Sequence, residues 1–275
     1  MFRLPPHASR TERVGHALYL AFCGLVLVFL VAPLIAIVPL AFNSGSFLTY
    51  PMPGVSLRWF EAFFASSSWQ LSIRNTFIVG VGSAVLATVL GTMAALGLAR
   101  TPFPGSRLLM ALILSPMVVP LVITALGMFF FFARLGLTNS LWGLVLAHTA
   151  LGVPFVVITV SATLQGFDSN LPRAAASLGA GPVYAFRRVT LPVIAPGVTV
   201  GALFAFATSF DEVVVAIFLV GPGQRTLPRQ MFSGIRENLD PTIAAAASFM
   251  MLISAVLLLA VELLRRRSDR MRGIR

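Results

Sequence analysis

Six apolar stretches, at 17–42, 75–98, 108–132, 141–162, 198–220 and 243–264, divide this chain. Each approaches or exceeds the roughly 20 residues with which an α-helix crosses about 30 Å of hydrocarbon. Nothing else constrains the fold as much. In lipid, every backbone N–H and C=O must be paired within the protein, so such a chain folds as a bundle of helices. The composition agrees: 57% of the 275 residues are hydrophobic and 11% are charged, with a mean hydropathy of +0.91. Soluble domains are far more polar than this. The expected fold class is an all-α membrane protein with six transmembrane helices.

The first stretch follows Arg3, Arg10 and Arg13. It exceeds the roughly 7–15-residue apolar core of a signal peptide and is read as an uncleaved span. Pro33 and Pro39 are expected to kink its outer half, and the pair Pro116 and Pro120 to kink the third span. Small residues let helices approach closely, as Gly80, Gly82 and Gly91 do in the second span and Gly197 and Gly201 at the fifth. In the outer loop at 43–74, Leu57, Phe60 and Phe64 recur at helical spacing, which fits a helix lying in the interface.

Orientation follows from the arginines, because cytoplasmic loops carry the excess of positive charge. With the N-terminus inside, the inner segments hold fourteen: Arg3, Arg10, Arg13, Arg100, Arg107, Arg173, Arg187, Arg188, Arg265, Arg266, Arg267, Arg270, Arg272 and Arg275. The outer segments hold six: Arg58, Arg74, Arg134, Arg225, Arg229 and Arg236. The expected organisation is a cytoplasmic tail at 1–16, a six-span domain at 17–264 with a cytoplasmic loop at 163–197, and a basic cytoplasmic tail at 265–275.

All twenty basic residues are arginine. A phosphate-binding loop of the Walker A type needs a lysine, so this chain cannot hold one, and any ATP-driven process must use a separate ATPase. The net charge of +11 sits at span ends, where anionic headgroups explain it, so no nucleic-acid partner is expected. His7, His16 and His148 are scattered without metal-ligand spacing, and Cys23 is alone, so no metal or other cofactor is expected. No nucleophile, base or acid cluster recurs across the spans, and the chain is not read as an enzyme.

Residues 173–192, RAAASLGAGPVYAFRRVTLP, stand out in the 163–197 loop. Pro172 can start a helix that continues through Ala174, Ala175, Ala176, Ser177 and Leu178. Gly179 to Gly181 break it, Pro182 starts a second helix, and Leu191-Pro192 is expected to stop that one. The pattern alone fits an interfacial linker and a partner-docking element equally well.

Asp211 and Glu212 are the only adjacent acids within a span. An acid in hydrocarbon costs about 2.5–3.5 kcal/mol on insertion scales, so both should face protein or water. On a continuous helix from 198, a rise of about 1.5 Å per residue puts Asp211 about 20 Å from the inner face, beyond the midplane. Neighbouring residues there point about 100° apart, so the two acids cannot face one pore point. Either one attracts a cationic substrate while the other pairs with an arginine from a loop or a neighbouring span, or both are structural, paired within an outer gate.

The 173–192 stretch resembles the cytoplasmic loop signature of ABC importer permeases: Glu-Ala-Ala, three residues, Gly, nine residues, Ile-x-Leu-Pro. Ala174 and Ala175 fill the alanine positions, Gly179 follows after three residues, and Val189, Leu191 and Pro192 follow at the required spacing. Two departures stand out. Val189 replaces isoleucine, and Arg173 sits where the family carries glutamate, which reverses a charge. Asn75-Thr76 is similar to the opening of that family's transmembrane module. Ser209-Phe210-Asp211-Glu212-Val213-Val214-Val215, with Gly221-Pro222 and Leu227-Pro228, is similar to the spermidine/putrescine branch, and there to the second, "C"-type permease.

The resemblance covers about 75–262. It implies a type I importer permease (MetI-like) fold in a bacterial inner membrane. Its implied partners are a second homologous permease, two cytoplasmic ATPase subunits, a periplasmic solute-binding protein and membrane lipid. Arg173, Ala174, Ala175, Gly179, Val189, Leu191 and Pro192 would couple to the ATPase; Asp211, Glu212, Ser209 and Asn75 are the pathway candidates. The implied solute is a polyamine, with opines, phosphonates and amino-acid derivatives as alternatives within the same family. An ion-coupled secondary transporter is the competing class, but it leaves the loop signature unexplained and predicts internal repeats that the sequence does not show.

Overall fold

The computed structural model describes residues 9–100, 104–168, 170–237 and 239–271. Arg3, Arg272 and Arg275 of the charge count lie outside the described residues. The helices are α1 (Arg10–Leu40), α2 (Arg58–Ala65), α3 (Ser67–Arg100), α4 (Ser106–Val118), α5 (Leu121–Arg134), α6 (Leu141–Leu164), α7 (Asn170–Ser177), α8 (Pro182–Ala185), α9 (Leu191–Phe210), α10 (Val214–Leu219), α11 (Leu227–Glu237) and α12 (Thr242–Met271). Extended pairing among the described residues is limited to one bridge between Asn43 and Val55. Five helices are long and apolar enough to cross a membrane, and a sixth span results if the bent pair α4–α5 is counted as one.

The chain forms two compact units, Met1–Phe63 with Leu239–Phe249, and Phe64–Asn238 with Met250–Arg275. In the first, α1 opens on a reciprocal cap: Glu12 N–H donates to Ser9 Oγ at 3.3 Å and Ser9 N–H donates to Glu12 Oε2 at 2.8 Å. No residue of α1 is buried, and an apolar helix exposed all round needs lipid or protein about it. The segment after it is stitched together locally. Asn43, fully buried, donates to Phe47 O at 2.8 Å and accepts from Gly45 N–H at 2.8 Å, and Trp59 Nε1–H donates to Gly45 O at 3.2 Å. The amphipathic helix expected near 57–64 forms as α2, with Phe63 buried and Phe64 half exposed.

In the second unit α3, α6 and α9 pack on one another, and α6 is central. Of its most apolar stretch 67% is buried, against 39% for α3. Glycine makes the approach possible. A β-carbon on Gly91 of α3 would lie 2.7 Å from Val156 Cβ of α6, and one on Gly201 of α9 would lie 2.9 Å from Val156 Cα. Gly82, expected to do the same, would meet Val145 only at ordinary contact distance, 3.4 Å.

Three sequence expectations about continuity need correction. The stretch 108–132 is not one continuous kinked helix: it is broken, and α4 and α5 are bent by 108° at the break. Val119 is extended (ψ 134°), as a residue before proline prefers, and Pro120 caps α5. The stretch 198–220 is not one helix either, since α9 ends at Phe210 and α10 starts at Val214. Conversely, Leu191-Pro192 does not stop a helix. The chain runs from α8 through a π-turn, Phe186–Thr190, straight into α9. Pro192 has no N–H to give the preceding turn, and the wider turn, in which Leu191 N–H donates to Phe186 O, takes up that defect.

Candidate functional site

The break after α9 brings the chemistry together. Asp211 closes α9, its N–H donating to Ala207 O at 3.3 Å. Glu212, only 6% exposed, turns back over the start of α10: Val215 N–H donates to Oε1 at 2.9 Å and Ala216 N–H donates to Oε2 at 3.2 Å. Both oxygens therefore take up backbone donors that the helix start leaves unpaired. From α6, His148 Nε2 lies 3.4 Å from Glu212 Oε2, within ion-pair reach but without the alignment of a hydrogen bond. Its Nδ1 is 2.7 Å from Ser209 Oγ in the last turn of α9. His148 is 1% and Ser209 4% exposed. Serine, histidine and glutamate make a hydrolytic-looking set. All three are sealed from solvent, and the carboxylate is committed to the backbone.

Asp211 does the opposite. It is exposed and lines an open cavity of about 600 Å³ together with Pro116, Val119 and Pro120 from the α4–α5 break, Thr208 and Val213 beside its own, and the edge of the buried Glu212. Two helix breaks thus face one cavity. On a continuous helix the two acids would lie about 100° apart; here both border this cavity, and they differ in exposure. The rotation per residue of a helix is irrelevant here, because neither acid lies within one.

Asn75 is absent from that cavity wall. It is 2% exposed, and its amide donates to Gly223 O at 3.3 Å and Arg225 O at 3.1 Å. Thr76 next to it accepts from Leu227 N–H at 2.7 Å and donates to Ser72 O at 2.8 Å. The Asn-Thr pair on α3 therefore pins the 221–227 segment. His148, which the sequence offered only as one of three scattered histidines, is brought into this cluster by the fold. Its partner Ser209 is 61 positions away, and nothing local announces the pair.

The loop motif has a local physical account. α7 begins at Asn170, two residues before Pro172, with Asp168 Oδ1 accepting from Asn170 N–H at 2.9 Å. It ends in a Schellman turn: Gly179 N–H donates to Ala176 O at 2.9 Å and Ala180 N–H to Ala175 O at 3.0 Å. Gly179 has φ +86°, which a β-carbon would strain. The alanine-to-glycine spacing of the motif is thus the spacing of this turn. Leu178, Val183 and Tyr184 are 88%, 69% and 61% exposed, an unusual amount of apolar surface for short polar-flanked helices. Arg173 is exposed and borders a smaller cavity, about 320 Å³, with Pro172 and Thr190.

Residues 87–271 match the model of the family described as binding-protein-dependent transport system inner membrane component. The chain belongs to this family. It is similar to the spermidine/putrescine transport system permease protein PotC of Escherichia coli (strain K12), 29% identical over 94% of this chain and 97% of the relative. It is also similar to the putrescine transport system permease protein PotI of the same strain, 33% identical over 81% of this chain and 82% of the relative. In fold it resembles the crystal structure of a bacterial ABC transporter involved in the import of the acidic polysaccharide alginate. There the TM-score is 0.74 at 15% identity, covering 94% of this chain and 99% of that one. The chain is an all-α, type I permease subunit of an ABC importer, a multi-pass protein of the bacterial inner membrane, and not itself an enzyme.

Proposed function

We propose that this permease conducts a polyamine, and that Asp211 is the residue that meets the cation. The observation that carries the reading is the division of labour in the acid pair. Both acids border the cavity, but Glu212 is 6% exposed with both oxygens taken by backbone N–H groups, whereas Asp211 is exposed to it. The C-terminal ends of α4 and α9 border the same cavity and add the partial negative charge of their last carbonyls. The similarity to PotC and PotI, whose names specify spermidine and putrescine, supports the same solute class. Solute would arrive from a periplasmic binding protein and pass between this subunit and a second, homologous permease.

The loop at 163–197 is the grip for the motor. Both termini and this loop lie in the cytoplasm, in line with fourteen arginines against six. A cytoplasmic ATPase, one of two, seats on α7 and α8 through Leu178, Val183 and Tyr184, with Arg173 offering a charge to an acidic partner residue. Since coupling is reciprocal, the same contact reports solute loading back to the ATPase. In the assembled importer, uptake of labelled spermidine and putrescine tests the reading. Asp211→Asn should lower uptake about tenfold or more, the worth of a charge-assisted hydrogen bond. Wild-type uptake by an assembled Asp211→Asn complex, or uptake of an opine or phosphonate in place of both polyamines, would reject it.

A further inference from the structure

We propose that His148 is a positioning residue that, through Ser209 and Glu212, holds the break after α9 in the shape that turns Asp211 into the cavity. The proposal deepens the polyamine reading and rests on it only for its transport consequence. No proline or glycine occupies 211–213, so nothing in the backbone forces the helix to end. In an uninterrupted helix, the N–H groups of Val215 and Ala216 would donate to the carbonyls of Asp211 and Glu212. The Glu212 carboxylate takes both donors instead. A carboxylate 6% exposed is costly unless other groups hold it, and His148, 1% exposed on α6, supplies the facing group.

The imidazole contacts both sides of the break. Nδ1 engages Ser209 on the near side and Nε2 faces Glu212 on the far side, leaving Phe210 and Asp211 between two fixed points. Nε2 faces the carboxylate at 3.4 Å, and Nδ1 is within hydrogen-bond distance of the Ser209 hydroxyl. Phe210, 1% exposed, is anchored by a ring contact with Phe206 at 5.7 Å, so Asp211 is the residue left to face outward.

The test reads the position of residue 211 directly. In the full importer, Cys23 is replaced by serine and Asp211 by cysteine, and the thiol is titrated with a membrane-impermeant cationic methanethiosulfonate. Adding His148→Ala should slow labelling about tenfold while the complex still assembles. Ser209→Ala, which removes one arm only, should slow it about threefold and covers the case in which His148→Ala does not assemble. Labelling at an unchanged rate in an assembled variant overturns the proposal. Spermidine uptake then separates this inference from the reading beneath it. If His148 acts through Asp211, His148→Ala and Asp211→Asn each lower uptake about tenfold and the double variant does no worse than either. Multiplication to about a hundredfold overturns the positioning role. Slowed labelling with an inert Asp211→Asn keeps the positioning and rejects the polyamine contact.

Discussion

Replacing Glu212 with glutamine isolates the backbone role of that carboxylate. Both carboxylate oxygens accept an N–H, from Val215 at 2.9 Å and Ala216 at 3.2 Å. Glutamine keeps one acceptor oxygen, and its NH₂ group must then face a backbone N–H, donor against donor. A hydrogen bond to a charged group is worth about 1.5–3 kcal/mol. The loss of charge at the start of α10 removes a further contribution of about 0.3–1 kcal/mol. Taking about 2 kcal/mol as the net cost, local opening of α10 becomes about 30-fold more frequent, since about 1.4 kcal/mol is a factor of ten. Hydrogen exchange followed by mass spectrometry reads this on peptides covering 213–220 in the reconstituted complex. Asp211→Asn is the matched control, because that carboxylate caps no helix, and its exchange should stay within about threefold of wild type. Equal protection in Glu212→Gln and wild type, or an equal loss in both variants, would refute the assignment of separate roles to the two acids.

Four further substitutions, with one control, test other contacts. Thr76→Val removes the acceptor for Leu227 N–H and should speed amide exchange across 221–230 about tenfold, from the cost of about 1–3 kcal/mol for orphaning a buried donor, with exchange of α6 unchanged. Gly91→Leu places a β-carbon 2.7 Å from Val156 and should abolish assembly as judged by gel filtration, whereas Gly97→Leu, whose β-carbon would meet nothing within 4 Å, should assemble normally. On the loop, Leu178→Ser removes the most exposed apolar side chain, 88%, and should cut retention of the ATPase on pull-down at least fivefold, while Arg173→Glu should weaken stimulation of ATP hydrolysis by the loaded binding protein.

The six apolar stretches were legible because crossing lipid imposes length and composition together, although the fifth span lies at Pro182–Phe210 rather than 198–220 and the third is broken. The loop motif was legible for a local reason too: Ala175, Gly179 and Ala180 encode a Schellman turn at fixed spacing. The α4–α5 break was half legible. The two prolines marked it, but a bend of 108° depends on Val119 adopting an extended conformation, which the pattern permits without requiring. The α9–α10 break was invisible, since Asp211-Glu212-Val213 contains no breaker and the acceptors that end the helix are on a side chain. The misjudged stop at Leu191-Pro192 has the same lesson from the other side. Proline removes one hydrogen bond, and a single wide turn is enough to carry the helix past it.

The two breaks also bear on where water must enter. Backbone that is not helical is tolerated at membrane depth only where protein buries it or water reaches it. At the α9–α10 break protein does the work: Glu212 takes the exposed N–H groups, and His148 and Ser209 close behind it. At the α4–α5 break no side chain caps either end. Ile123 and Thr124 N–H turn back to Pro120 O, and Val119 N–H to Ser115 O, but no side chain caps the start of α5 or the end of α4. Met117 to Leu121, which carry this break, line the cavity that Asp211 borders. The first N–H groups of a helix and the last carbonyls of the one before it have no helical partner, so this cavity is expected to be hydrated, or filled by polar groups of a neighbouring subunit, in the bilayer. A charged solute needs such a place, and a neutral wall of intact helices would not provide it.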